Sequence, residues 1–292
     1  MIKVLIDSGA DQNEWLEESY EYGFIPLSII MDGESYLDRE EMSQNKLHEA
    51  MKNDIMPSTS QPSPGKIKET LETYRENGDQ VLIVTMWKEL SGTYQVIKSI
   101  VDEYKETHPD FQVEIVDSKS ASVAQTIIMV QALEMIQANH SFEEVVEQAQ
   151  WNANNHSIYL TVDKLEWLVK GGRLSKAAGF VGGALKVKPI LTVNDEELYS
   201  DSVVRGNKRV YKKIVKKIKE DADGFENQVI YISHVGEEEN AKKVEEIVQK
   251  EMPDAETKIF EFGAVLAAHI GVGGVAIAAL HATPETYIIP EA

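Results

Sequence analysis

Short apolar runs bounded by turn residues recur along the chain. Val4-Leu5-Ile6, Val81-Leu82-Ile83-Val84 and Val113-Glu114-Ile115-Val116 each have the length and β-branched content of a buried strand. Each is followed by a small polar cluster and then by helical periodicity. The clusters are Asp7-Ser8-Gly9, residues 85–93, and Asp117-Ser118-Lys119-Ser120. Strands alternating with helices predict a parallel sheet covered by helices, with ligand-binding loops at the carboxyl ends of the strands. Between the first two strands the texture changes. Residues 25–30 and Ser35-Tyr36-Leu37 flank Met31-Asp32-Gly33-Glu34, which predicts a β-hairpin in a small insertion of about residues 25–55. A helix is expected over 40–52. The second half begins near Asn154, with strands expected at 157–162, 189–193, 228–233 and 257–262. One helix is expected over 165–169, stopping at Gly171-Gly172, and another over 238–250. The expected fold class is α/β with two domains. Residues 1–153 form a parallel-sheet domain carrying the hairpin insertion, and residues 154–292 form an α+β domain.

The length of 292 residues fits this division, since domains average roughly 150 residues. The formal net charge of −20 argues against non-specific nucleic-acid binding by the whole protein. The absence of cysteine excludes disulfides, thiolate catalysis and Cys-ligated zinc, and it fits a reducing compartment. The histidines are not paired or set among acids in a metal-binding pattern, so no metal is expected. Met1–Asp7 looks like the start of a strand and not like a signal peptide. The longest apolar tract, residues 265–280, is short for a bilayer span and is interrupted by His269 and glycines. The expected location is cytoplasmic. One stretch opposes the global charge. Arg205, Lys208, Arg209, Lys212, Lys213, Lys216, Lys217 and Lys219 occur without an intervening acid, while Val210, Tyr211, Ile214, Val215 and Ile218 recur at helical spacing. Such a helix presents either a solvated face or a docking patch for an acidic partner or an anionic membrane.

Four clusters could carry chemistry. Thr59-Ser60-Gln61-Pro62-Ser63-Pro64 places two hydroxyls before a helix start, with Ser63 as N-cap and Pro64 at the first helical position. It suits a capped loop as well as a binding loop. Ser91-Gly92-Thr93-Tyr94-Gln95 opens a helix after a strand, where free N–H groups and hydroxyls suit a carboxylate or phosphate, or simply cap the helix. Neither cluster is a P-loop, and Ser91 lacks the flanking glycines of a nucleophile elbow. Lys170-Gly171-Gly172-Arg173-Leu174-Ser175 can project a guanidinium from a tight turn onto an anion or into a surface salt bridge. In residues 263–275, small residues surround His269, which can face a ligand or sit in the core.

In this order the clusters resemble the DegV family, whose characterised members are FakB-type fatty-acid-binding proteins. Thr59-Ser60-Gln61-Pro62-Ser63 is similar to the family's Thr-Ser-Gln-Pro-Ser motif, and Ser91-Gly92-Thr93-Tyr94 to its Ser-Gly-Thr-Tyr segment. Residues 168–175 and Lys188-Pro189-Ile190-Leu191 resemble two further motifs, and His269-Ile270-Gly271 resembles the C-terminal one. Gly9 stands where the family usually has threonine, and Ala264 and Gly273 where proline is usual. The resemblance implies a long-chain fatty acid held between two domains as the ligand, with no other cofactor and no catalytic residue of this chain's own. Its carboxylate would lie at Thr59, Ser60, Ser91, Gly92, Arg173 and His269, and the Ala/Gly/Val-rich tract after Leu266 could line the acyl tunnel. The resemblance further implies a partner, an ATP-dependent fatty acid kinase (FakA-like) that converts the bound acid to an acyl phosphate. Arg205, Lys208 and Arg209 are the candidate docking residues. The alternatives are a stand-alone acyl hydrolase using Ser91 with His269, and a lipid-responsive regulatory protein.

Overall fold

The alternating apolar positions of the first strands face two different helical layers. The computed structural model describes residues 1–53, 55–174 and 187–290. Strands Gly23–Ile25, Ile2–Asp7, Gln80–Thr85 and Val113–Asp117 lie in that order, all parallel. Leu5, Val81 and Ile83 cluster with Ile67 and Leu71 of helix Pro64–Glu76 and with Ile97 and Val101 of helix Thr93–Thr107. Val4, Ile6, Leu82 and Val84 belong to the cluster on the opposite face, which contains helix Val123–Gln137. Burial on both faces is why these strands read as continuous apolar runs.

The second sheet has six strands in the order Leu198–Arg205, Val187–Val193, His156–Thr161, Val275–Leu280, Val229–His234 and Glu256–Glu261. The last pair is parallel and the other neighbours are antiparallel. Ile230, Ile232 and Ile277 are buried with helices Asn207–Asp221 and Glu238–Glu251. Tyr231, Ala276 and Ala278 face the other way, toward helix Val123–Gln137. That helix thus packs against strands of both sheets, and 13 of its 15 residues are buried. The architecture is mixed α/β with two domains. Among the described residues no helix is long and apolar enough to cross a membrane, and no group of three or more His, Asp or Glu side chains could hold a metal ion.

The hairpin forms as expected. Ser28–Met31 and Glu34–Leu37 pair antiparallel around Asp32 at φ 52° and Gly33 at φ 82°, the positive pair that matches the natural strand twist. Four local expectations are refined. Thr59 and Ser60 lie on a strand, Ser58–Ser60, because the free edge of Ser28–Met31 supplies backbone partners. Helix 40–52 starts only at Gln44, where Ser43 accepts from the Lys46 N–H at 3.3 Å. Ser63 occupies the N-cap position before Pro64, but its side chain makes no cap hydrogen bond. The tract after Leu266 is not one unit. It divides into helix Ala264–Ile270, a glycine turn, and the strand Val275–Leu280 in the interior of the six-stranded sheet. Ser175 lies outside the described residues.

A methyl group at Gly33 would meet nothing within 4 Å. Gly33→Ala is therefore expected to cost about 1 kcal/mol from left-handed backbone strain alone. A denaturant titration should show a lower midpoint with an unchanged slope.

Candidate functional site

The loops leaving the first sheet and one face of the second sheet enclose an apolar cleft. Its empty space is about 700 Å³, including solvent at the opening. Leu27, Met86, Leu90 and Ala121 come from the first half of the chain. Ile158, Leu160, Leu168, Leu198, Phe262, Val265 and Leu266 come from the second. Of the tract after Leu266, only His269 and Ile270 of the helix line the cleft, since the strand that follows is spent on the sheet.

Four of the six expected head-group residues, Thr59, Ser91, Arg173 and His269, also line this cleft. Thr59, Ser91 and Arg173 continue into a polar mouth lined further by Ser60, Gln61 and Gly92. All six are therefore gathered at one end of an apolar channel. They come from a strand, a helix start, a glycine turn and a second helix.

Arg173 occupies the turn after helix Glu166–Lys170. Its Nε donates to the Leu90 carbonyl at 3.3 Å and one terminal nitrogen to the Gly171 carbonyl at 2.6 Å. Among the described residues no carboxylate pairs with it, so the surface salt bridge allowed by the sequence does not form. Burial pushes its pKa down. Held by two carbonyls, this half-buried guanidinium keeps N–H donors to spare. Gly172 makes the turn possible at φ 76°. Gly171 is needed for space, because a Cβ there would collide with the His269 ring.

His269 is 8% exposed. Burial and the neighbouring Arg173 charge push its pKa down from 6.5 to about 4, so the imidazole is neutral near pH 7. Its Nε2 lies 2.9 Å from Thr59 Oγ1, joining the hairpin sheet to helix Ala264–Ile270. If Nε2 carries the proton, it donates to Thr59, whose own O–H is then free to donate to an anion. Ser91 Oγ lies 2.8 Å from Thr93 Oγ1 and accepts from the Thr93 N–H at 3.2 Å, so it closes the start of helix Thr93–Thr107. Ser91 is engaged by Thr93 and not by His269.

Two buried carboxyl groups escaped the sequence-based site. Asp7 accepts from the N–H groups of Gly9 and Met86, both at 2.8 Å, and from Gln125 Nε2 at 3.1 Å. Asp11 accepts from the Ser122 hydroxyl and from the Gly263 N–H at 3.3 Å. Burial raises their pKa values to about 6 and about 7. Together they tie down the loops bearing Met86, Ser122 and helix Ala264–Ile270, which line the cleft. The only local sign was an aspartate at the end of an apolar strand, and spacing alone does not name its distant partners.

Arg205, Lys208 and Arg209 lie away from the cleft. Arg205 ends the edge strand Leu198–Arg205, and the other two occupy the first turn of helix Asn207–Asp221; all three are exposed. The distal half of the basic stretch is internally satisfied. Lys216 pairs with Glu220 at 3.1 Å, Lys217 with Asp201 at 2.9 Å, and Lys219 reaches the Glu251 carbonyl. Arg205, Lys208 and Arg209 have no acidic partner among the described residues. Two of them oppose the dipole at the helix start, so helix stability does not explain them.

The fold and site define a two-domain α/β protein with an apolar cleft whose mouth carries hydroxyls, a guanidinium and an imidazole. A family model described as "Uncharacterised protein, DegV family" matches residues 1–282, and the chain belongs to the DegV family. It is 31% identical over 277 residues to a DegV domain-containing protein of Clostridium perfringens, covering 95% of this chain and 98% of the relative. Among solved structures, a fatty-acid-binding DegV family protein from Thermus thermophilus matches with a TM-score of 0.86 and 27% identity, covering 96% of this chain and 99% of the other. The Streptococcus pneumoniae Fatty Acid Kinase (Fak) B3 protein, loaded with linoleic acid, matches with a TM-score of 0.83 over 96% of this chain and 99% of its own. At 23% identity that match speaks for the fold alone.

In ligand-free protein, the His269 Cε1 proton is expected to titrate near pH 4 by NMR. Because the folded pKa lies below the unfolded 6.5, the contribution of His269 to stability is complete above about 6.5. It is lost as pH falls toward about 4. Titration near 6.5 in the folded protein would contradict the buried, Arg173-facing ring.

Proposed function

We propose that this chain binds a long-chain fatty acid and presents its carboxylate to a separate ATP-dependent kinase, which converts it to an acyl phosphate. The observation that carries this reading is the apolar cleft ending at an Arg173 without an acidic partner among the described residues, beside the Thr59–His269 pair. An acyl chain in the cleft gains about 0.8 kcal/mol per buried methylene. Its carboxylate would otherwise pay heavily for desolvation, and Arg173 with the hydroxyls of Thr59, Ser60 and Ser91 and the Gly92 backbone offsets that cost. The fatty acid bound by the Thermus thermophilus relative supports the same ligand class here.

The kinase step needs a partner because the sequence has no phosphate-binding loop of its own. In that step a carboxylate oxygen attacks the γ-phosphorus of ATP, the bond to the bridging oxygen breaks, and ADP leaves. The name of the Streptococcus pneumoniae fold relative points to the same kind of system. The hydrolase alternative has less support, since Ser91 is hydrogen-bonded to Thr93 while His269 bonds Thr59. In this reading, residues 1–153 and 154–292 are the two domains of a cytoplasmic carrier. Arg205, Lys208 and Arg209 form a docking patch for an acidic surface of the kinase, with transient contact to anionic membrane as a second use.

Lipid extraction and mass spectrometry of the purified protein should return a long-chain fatty acid. Absence of acid, with no uptake of added palmitate, would count decisively against the carrier. Arg173→Met should weaken palmitate binding about thirtyfold, as expected for the loss of a charge-assisted hydrogen bond. Reversing Arg205, Lys208 and Arg209 to glutamate should leave palmitate affinity intact and slow acyl-phosphate formation by the kinase. If only binding to anionic liposomes falls, the patch is a membrane contact. If neither changes, it is a solvated face.

A further inference from the structure

The mouth of the cleft holds one polar side chain that the head-group assignment leaves unused. Gln61 follows strand Ser58–Ser60 directly and is exposed at the opening, where it lines the mouth with Thr59, Ser91, Gly92 and Arg173. Its backbone is anchored on both sides. Ser60 is paired with Ser28 in the hairpin sheet, and Pro62 has a fixed φ and is buried. Only the side-chain torsions of Gln61 are left to move. Its carboxamide is laid over the start of helix Thr93–Thr107, so close to Gly92 that a Cβ there would lie 1.9 Å from Gln61 Nε2. Among the described residues nothing accepts a hydrogen bond from that nitrogen. The backbone of Gly92 has φ −69°, a value open to any residue. A Cβ at Gly92 would displace the carboxamide, so the glycine leaves room for the amide to lie over the helix start.

We infer that Gln61 is a gate over the carboxylate. In the closed position its N–H₂ rests on Gly92 and donates to the carboxylate oxygen facing the mouth. For phosphoryl transfer or ligand exchange it rotates outward, uncovering that oxygen. A carboxamide suits this role, being a donor without charge: it holds the anion without forming an ion pair that would resist opening. This inference rests on the carrier reading, in which a fatty-acid carboxylate occupies the mouth.

The test is the dissociation rate of bound palmitate, followed by stopped-flow displacement with a fluorescent fatty acid. Because Gln61 is exposed, Gln61→Ala leaves folding intact, and it should accelerate dissociation about tenfold, as for one lost hydrogen bond to a charged group. Gly92→Ala retains the amide but removes its seat, and should accelerate dissociation to the same extent. The double variant should be no faster than either single one, because both changes abolish one closed state. Independent, multiplying effects, or a Gln61→Ala protein that releases palmitate at the wild-type rate, would overturn the gate while leaving fatty-acid binding standing. Wild-type protein that takes up no palmitate would remove the carrier reading and the gate together.

Discussion

The structure depends on a helix that has no solvent face. Val123–Gln137 is apolar on nearly every side, so it is stable only if something covers it all round. One sheet cannot do this, and strands of both sheets together with helix Phe142–Asn154 pack on it. The loops bearing Met86, Leu90 and Ala121 are thereby brought toward the face of the second sheet that carries Ile158 and Leu160. The cleft is the space these surfaces leave between them.

A helix in this position has to satisfy its own polar groups internally. Gln125 donates to Asp7 and to the Val84 carbonyl, and Thr126 exchanges hydrogen bonds with the backbone of Asp11. Ser122, at the head of the helix, has φ 60°, a costly conformation for a residue other than glycine. It is held by its N–H to the Gly9 carbonyl at 2.6 Å and by its hydroxyl to Asp11. The bonds that permit the helix to be buried are thus also the bonds that shape one wall of the cleft. Asp7 and Asp11, with pKa values raised by burial, are the anchors at which these bonds converge.

Charge is distributed with similar economy. The protein is strongly acidic, yet Arg173 at the cleft mouth and Arg205, Lys208 and Arg209 on the far edge have no acidic partner among the described residues. Some lysines elsewhere are paired, as Lys68 is with Glu103 at 2.7 Å and Lys188 with Asp163 at 2.5 Å, while others such as Lys212, Lys213 and Lys243 form no salt bridge among the described residues. Arg173, half-buried beside a neutral His269, suits a small ligand's head group, whereas the exposed trio suits a surface.

Local chemistry was enough for much of this. Apolar runs named three of the four strands of the first sheet, and Asp32-Gly33 named the hairpin of the small neighbouring sheet, because both depend on neighbours within a few residues. The residues that meet at the cleft mouth could also be named, since hydroxyls, glycines and one arginine stand in compact motifs. What no local pattern contains is the partner of each group. The strand pairing of Ser58–Ser60, the division of the tract after Leu266, the junction of Thr59 with His269, and the anchoring by Asp7 and Asp11 all join residues distant in sequence. So does the seating of Gln61 on Gly92. These junctions appear only when the packed elements bring distant residues together, and burial then decides which polar groups must find one another.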